Sequence, residues 1–204
     1  MDYPKIHTFE QHSDEWYSIR LGKVTASKFS VAIGKPGVTR TKYMRKLIGE
    51  AGSCQREESY SNSSMEWGTE TEPEARNYYQ SVNDCIVTEV GFIEHSEYIG
   101  VSPDGLIGED GLLEIKCPNT STHVGYILDD KLPAVYRAQV QGQLWCSGRK
   151  WLDFVSYDPR YAPRPYWCKR VERDEQYIAE LEIKLGKFVA EMKTVMDKIT
   201  GQSF

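Results

Sequence analysis

The sequence has 204 residues, of which 40% are hydrophobic and 27% are charged, and its formal net charge is −5. This length suits one domain with its own core, and the composition is that of a globular protein, not of a disordered or fibrous chain. No apolar run approaches the roughly 18 residues of a membrane-spanning helix. The five cysteines are too widely spaced for a disulfide framework or a zinc site. We therefore expect a protein of the reducing cytoplasm.

Charge is distributed unevenly along the chain. Residues 20–49 carry eight basic side chains and no acidic one, whereas residues 50–114 carry fifteen acidic side chains and two basic ones. A basic segment beside an acidic one is suited to a polyanion held next to a cation site. Solvated surface charge explains the same asymmetry, so both interpretations stay open.

The first part of the chain is predicted to be mainly helical. Ser13 is a suitable N-cap for the first helix, and glycines close the second and third. The polar stretch 53–64 is predicted to be an exposed loop, and Pro73 marks a first turn or a kink in the fourth helix. The helical patterns cover residues 13–20, 25–34, 37–52 and 65–82.

Strand patterns dominate after residue 85. Three consecutive segments are rich in Val and Ile and are separated by turn residues, which predicts antiparallel strands. They cover residues 85–95, 98–108 and 111–117. A helix over residues 133–148 and two strands over 150–158 and 165–173 follow.

The last predicted helix begins near Asp174. Its apolar residues recur at steps of three and four, from Ile178 to Ile199, and this stripe packs on the domain or, alternatively, on a neighbouring subunit. The order of elements predicts an α/β or α+β fold in which a mixed sheet is wrapped by helices.

Three ionisable residues interrupt the apolar strands of the stretch "SPDGLIGEDGLLEIKCP". Glu114 and Lys116 point to the same side of their strand, and a short hairpin would bring Asp104 beside Glu114. Two adjacent buried carboxylates resist ionisation unless a cation such as Mg²⁺ neutralises them. A nearby lysine could then orient or deprotonate a water, with its pKa lowered by burial and positive charge. The alternative is a Glu–Lys pair on the surface of a strand.

The residues "SPDG" and "LEIKCP" resemble the core motif of PD-(D/E)xK nucleases. More closely, the chain resembles the phage lambda exonuclease family, also described as YqaJ-like viral recombinases or alkaline exonucleases. Five further segments resemble motifs of this family and occur along the chain in the family's order. They are "EWYSIRLGKVTASKF", "WGTETEPEAR", "YRAQVQGQLW", "YDPR" and "ERDE".

The resemblance implies a restriction-endonuclease-like core with a central mixed β-sheet flanked by helices. Residues 1–204 would form a single nuclease domain. Its parts would be an N-terminal helical DNA-end-binding segment of about 1–80, a nuclease core of about 81–171 and a C-terminal helix of about 174–200.

The resemblance also implies two Mg²⁺ ions per active site, with Mn²⁺ as a possible substitute. Their ligands would be Asp104, Glu114, the backbone carbonyl of Ile115 and Glu72. Glu70 and Glu74 compete with Glu72 for this role, and because they share a helix face away from Glu72, only one of the two sets can face the site.

Catalytic roles are implied for two residues. Lys116 would be the general base or the group that orients the water, and Gln139 would support it from its helix. Without the motif, Gln139 and Gln141 would be interpreted as ordinary helix surface.

A pocket for a terminal 5′-phosphate is implied by Arg20, Ser27 and Ser102. A guanidinium binds phosphate bidentately and hydroxyls add neutral donors. The apolar residues Phe29 and Met44 are candidates for separating the two DNA strands.

The function implied is a 5′→3′ exonuclease on double-stranded DNA ends, which releases 5′-mononucleotides and leaves a 3′ single-stranded tail for recombination. A homotrimeric ring around the DNA, a single-strand-annealing recombinase as partner, and a phage or prophage origin with action in the bacterial cytoplasm are implied too. The alternatives are an endonuclease or nickase on the same core, and a non-catalytic DNA-end-binding protein.

Overall fold

The computed structural model describes residues 4–57 and 63–201, which form two β-sheets surrounded by helices. The strands are β1 (Lys5–His7), β2 (Val24–Thr25), β3 (Val87–Thr88), β4 (Phe92–Ser96), β5 (Ile99–Val101), β6 (Gly105–Ile107), β7 (Gly111–Lys116), β8 (Trp151–Tyr157) and β9 (Tyr166–Glu172). The helices are α1 (Asp14–Arg20), α2 (Phe29–Ala32), α3 (Val38–Ser53), α4 (Ser63–Asn83), α5 (Thr120–Asp129), α6 (Arg137–Ser147) and α7 (Glu175–Thr200).

Both sheets are mixed. The first has the order β1-β4-β5-β2, and β2 runs parallel to β5 while the other pairs are antiparallel. The second has the order β3-β6-β7-β8-β9, and β7 runs parallel to β8, with α5 and α6 in the connection. The mixed α+β fold confirms the predicted fold class, although two sheets replace the single central sheet that we expected.

The chain changes sheet where we predicted continuous strands. The segment 85–95 contains β3 of the second sheet and β4 of the first, and the segment 98–108 contains β5 of the first sheet and β6 of the second. Each change occurs at a residue unsuited to a continuous ladder. A Cβ atom on Gly91 would lie 2.3 Å from the carbonyl oxygen of Phe9, and Pro103 has no backbone N–H. The antiparallel pairs β4–β5 and β6–β7 agree with the prediction.

Helix α7 packs on the domain, as the periodicity indicated. Ile178, Leu181, Leu185, Phe188 and Met192 are all buried. Its last predicted stripe residue, Ile199, is 67% exposed, so the intramolecular contact ends before the end of the helix.

The N-terminal segment is helical as predicted but also supplies two strands. The helix expected over residues 25–34 consists of a 3₁₀ turn, Ala26–Lys28, followed by the short α2. Strands β1 and β2 pair with β4 and β5, so this segment is part of the first sheet and not a separate helical unit. Pro73 lies inside α4 without ending it. Of the predicted loop 53–64, residues 58–62 lie outside the described part of the chain.

Helix α5 was not predicted. It begins with polar and β-branched residues, and its N-cap is formed by Asn119, whose side chain accepts a hydrogen bond from the backbone N–H of Thr122. Among the helices that the structure describes, none has the length and apolar character needed to cross a membrane.

Candidate active site

The hairpin of β6 and β7 brings two carboxylates together. The backbone N–H of Asp104 donates to the carbonyl of Leu113 over 3.0 Å, which continues the antiparallel ladder beyond Gly105. In return, Oδ2 of Asp104 accepts from the backbone N–H of Ile115 over 2.6 Å. Asp104 therefore lies beside Glu114, as the short hairpin predicted.

Glu114 is the most heavily hydrogen-bonded carboxylate of this site. It is only 1% exposed, which excludes the interpretation as a surface Glu–Lys pair. Its Oε1 accepts from Lys116 Nζ and, over 2.5 Å, from Gln139 Nε2. Its Oε2 accepts from Gln143 Nε2 over 2.6 Å. Two amides of α6 and one ammonium of β7 thus fix both oxygens.

Burial and like charge govern the ionisation of these groups. Burial raises the pKa of Asp104 well above its usual range, and the neighbouring carboxylates of Glu114 and Glu72 raise it further. Burial alone would lower the pKa of Lys116, but attraction to Glu114 and Asp104 outweighs it and the pKa is raised. Our expectation of a lowered lysine pKa is therefore wrong for this arrangement, because the lysine faces two anions.

Among the three candidate glutamates of α4, only Glu72 faces the carboxylate pair. It lines the same cleft, and its Oε1 accepts from Arg76 over 2.6 Å. Burial raises its pKa, against the lowering effect of Arg76 and Lys116. Glu74 points elsewhere and accepts a hydrogen bond from the hydroxyl of Tyr157 over 2.7 Å. The geometry thus places Glu72, and not Glu74, beside the carboxylate pair.

The donor set is suited to a hard cation, although the described side chains are not arranged around one. Among the residues that the structure describes, no group of three or more His, Cys, Asp or Glu side chains could hold a metal ion as placed. Positive charge comes instead from Lys116 on Glu114 and from Arg76 on Glu72. Glu114 and Glu72 nevertheless raise the pKa of Asp104, Glu114 raises that of Glu72, and all three side chains offer only oxygen, which is the ligand that Mg²⁺ prefers. A cation bound there would replace the ammonium on Glu114.

A second group of donors surrounds Ser102. Its Oγ lies 2.8 Å from Nη1 of Arg20 and 3.0 Å from the indole nitrogen of Trp16. The guanidinium of Arg20 lies over the Trp16 ring, 3.8 Å from its centroid. Burial lowers the pKa of Arg20 to about 10, so the side chain keeps its charge at neutral pH. The structure thus joins two of the three residues predicted to bind a terminal phosphate.

One cleft of about 650 Å³ contains both groups. Ser27, Arg20 and Ser102 line it together with Lys116 and Gln139. The first turns of α4 contribute Met65, which is 55% exposed. Phe29 and Met44, our candidates for separating DNA strands, are 0% and 5% exposed and belong to the core, so neither can contact a strand.

Three residues of the site were not identified from the sequence. Trp16 and Arg76 lie inside the quoted motifs, but their contacts join residues far apart in the chain. Gln143 had a local signal, because it lies four residues after Gln139 and therefore on the same helix face. Gln141, on the opposite face, is 3% exposed and bonds to the backbone of residues 172 and 174, so it is not helix surface.

Comparisons with known proteins agree on one family. The model of the YqaJ-like viral recombinase domain matches residues 15–150. An alkaline exonuclease from Laribacter hongkongensis is 44% identical in sequence, and its crystal structure superposes with a TM-score of 0.87 over 92% of this chain and 96% of that one. The same enzyme has been crystallised in complex with dAMP, with the same coverage and TM-score.

Two more distant relatives complete the comparison. A phage-related exonuclease from Haemophilus somnus 129PT shares the fold with a TM-score of 0.65, at 17% identity over 88% of this chain and 95% of that one. The uncharacterized protein R354 of Acanthamoeba polyphaga mimivirus is 29% identical over 167 residues, which cover 74% of this chain. The chain spans only 30% of the length of that curated relative.

Proposed function

Because the chain belongs to the family of YqaJ-like viral recombinase domains, we propose that it is a Mg²⁺-dependent exonuclease that degrades one strand of duplex DNA in the 5′→3′ direction. The observation that carries the proposal is the cleft in which the Asp104–Glu114–Lys116 cluster and the Arg20–Ser102 pair lie together. A cation site beside a guanidinium is suited to a phosphodiester near a charged strand end. The 44% identity with an exonuclease that has been crystallised with a nucleoside monophosphate supports the same reaction.

The proposed cation ligands are Asp104, Glu114, the carbonyl of Ile115 and Glu72. Divalent cations bound there supply Lewis-acid activation of the phosphate and of a water nucleophile. The chain's own groups then position the reactants. Lys116 Nζ, no longer paired with Glu114, would orient the attacking water or accept its proton as the general base. Gln139 would keep Glu114 in place.

End recognition is proposed for the other side of the cleft. Arg20 is held rigidly by Trp16 and Ser102, so its guanidinium is preorganised to receive a phosphate, and Ser27 adds a hydroxyl. The product would be a 5′-mononucleotide and a 3′ single-stranded tail. We further propose a homotrimeric ring, a single-strand-annealing recombinase as partner and action in the bacterial cytoplasm, all of which rest on the family resemblance.

One assay tests the reaction and its polarity. Purified protein with Mg²⁺ is incubated with linear duplexes that carry or lack a 5′-phosphate, and with a covalently closed circle. We expect mononucleotides from the linear duplexes, faster with the 5′-phosphate, and an intact circle. Cleavage or nicking of the circle would indicate an endonuclease, and DNA binding without hydrolysis would indicate an end-binding protein.

The variant Arg20→Ala tests the phosphate pocket in the same assay. We expect it to lose the preference for phosphorylated ends while still degrading the unphosphorylated duplex. Lys184→Ala is the matched control, because Lys184 pairs with Glu180 on the exposed face of α7. An unchanged preference in Arg20→Ala would contradict the pocket.

A further inference from the structure

Helix α6 presents three glutamines at alternate positions, and two of them share one face. Gln139 and Gln143 are four residues apart and both donate to Glu114, one to each carboxylate oxygen. Gln141 lies on the other side of the helix and bonds to backbone groups where β9 leads into α7. One face of α6 is therefore directed at the predicted cation ligand, and the other packs against the backbone between β9 and α7.

The orientation of the Gln143 amide follows from its partner. An ionised carboxylate only accepts hydrogen bonds, so the amide must turn its Nε2 towards Glu114 and its carbonyl Oε1 away. Gln143 is 0% exposed, and its Oε1 has no hydrogen-bond partner among the described residues. Buried polar atoms without a partner are rare because they cost free energy, so the bond from Nε2 to Glu114 must outweigh this cost in setting the orientation of the side chain.

Gln143 also lies next to the other proposed cation ligands. The residue lines the same cleft as Asp104, Glu114 and Lys116. Gln143 thus supplies a buried donor that restrains one oxygen of Glu114 beside the proposed cation site.

We propose that Gln143 is a positioning residue that fixes the carboxylate of Glu114 for binding a divalent cation. The proposal rests on the proposed function and deepens it, because it adds a residue behind the ligands. By holding Oε2, Gln143 leaves Oε1 for the cation once Lys116 withdraws. Groups that orient metal ligands in this way typically contribute a factor of about 10 to 100 to metal affinity.

The test measures cation binding in the absence of DNA. Binding of Mn²⁺ to the full chain is followed by isothermal titration calorimetry for the wild type, Gln143→Leu and Gln141→Leu. We expect Gln143→Leu to weaken binding about 10- to 100-fold. Gln141→Leu should lower the melting temperature but leave the dissociation constant within about twofold, since its contacts lie outside the cleft.

A second variant covers the case in which Gln143→Leu does not fold. Gln143→Asn keeps the amide but shortens the side chain, so it should fold and still lose the contact with Glu114. Wild-type affinity in both variants would overturn the proposal while leaving the nuclease function intact. A wild type that neither binds Mn²⁺ nor degrades linear DNA would overturn the proposed function, and the role of Gln143 with it.

Discussion

Because Glu114 is buried, hydrogen-bond donors must compensate its carboxylate for the lost contact with water. Hydrogen bonds to charged groups contribute about 1.5–3 kcal/mol each, whereas an uncompensated buried charge costs several kcal/mol. The amides of Gln139 and Gln143 and the ammonium of Lys116 together satisfy this carboxylate. An exchange of the ammonium for a divalent cation would leave the two amide bonds in place, so the protein is organised around Glu114 before any cation arrives.

The variant Lys116→Ala tests the proposed catalytic role of this lysine. We expect hydrolysis to fall by about 10²- to 10⁴-fold, the range for loss of a positioned proton-transfer or water-orienting group. Duplex binding, measured by fluorescence anisotropy, should change little because Arg20 and the basic segment are untouched. Lys150→Ala is the control, since Lys150 pairs with Asp110 at the surface. Near-normal turnover in Lys116→Ala would contradict the catalytic role proposed for Lys116.

Local pattern was sufficient to predict the centre of the site but not its surroundings. The proximity of Asp104, Glu114 and Lys116 follows from strand alternation and a short hairpin, which are properties of neighbouring residues. The donor Gln143 lies 29 residues from Glu114, and the contact between Trp16 and Ser102 spans 86 residues. The direction of the lysine pKa was wrong for the same reason, because it depends on how many carboxylates the fold brings near it.

At the scale of elements, the close approach of α6 to α2 positions the glutamines. A Cβ atom on Gly142 would lie 2.3 Å from the ring of Phe29, which is fully buried. Only a glycine lets the helix come this near. Because Gly142 directly precedes Gln143, this contact determines how far the amides of α6 reach towards β7.

The variant Gly142→Ala tests that packing. We expect a loss of about 1–3 kcal/mol in the free energy of unfolding in urea, because the added methyl group overpacks the contact. Nuclease activity should fall as well, since the amides move away from Glu114. Gly186→Ala is the matched control: nothing lies within 4 Å of its added Cβ, so the better helix former should stabilise α7 by up to about 1 kcal/mol. Equal stability of both variants would contradict the packing argument.

Elements with strong periodicity were predicted well, and sheet membership was not. The stripe of α7 follows from apolar residues at steps of three and four, and the ends of α1 and α3 follow from an N-cap serine and a closing glycine. The division of two predicted strands between two sheets depends on Gly91 and Pro103, which a pattern of Val and Ile does not reveal. Helix α5 has too short an apolar pattern to be distinguished from a loop.

For the whole molecule, charge distribution matters more than the net charge of −5. Basic side chains of the N-terminal segment gather beside Arg20, where Lys23, Lys28 and Lys46 line a cavity of about 200 Å³ that shares Arg20 with the cleft. Basic groups near the strand end can contact backbone phosphates regardless of sequence. An acidic protein that acts on DNA then gains from a closed ring, which would retain the duplex by enclosing it.

The oligomeric state tests this proposal. Light scattering after size-exclusion chromatography should give three times the chain mass of 23.4 kDa at micromolar concentration. A closed ring of three subunits has head-to-tail interfaces that are all satisfied, so neither open chains nor larger assemblies are expected. A mass equal to one chain, with exonuclease activity retained, would contradict the ring while leaving the reaction unaffected.

The hydrogen bond between Arg20 and Ser102 connects the proposed phosphate pocket to the chain segment that carries Asp104. Ser102 is separated from Asp104 only by Pro103, and two residues of extended chain span at most about 7 Å. Ser102 of the proposed phosphate pocket and Asp104 of the proposed cation site therefore lie on one short, stiff piece of backbone. In the proposed reaction, this backbone fixes the distance between the bound strand end and the cation site. The protein, and not the base sequence of the DNA, therefore sets the length of the fragment removed in each cycle.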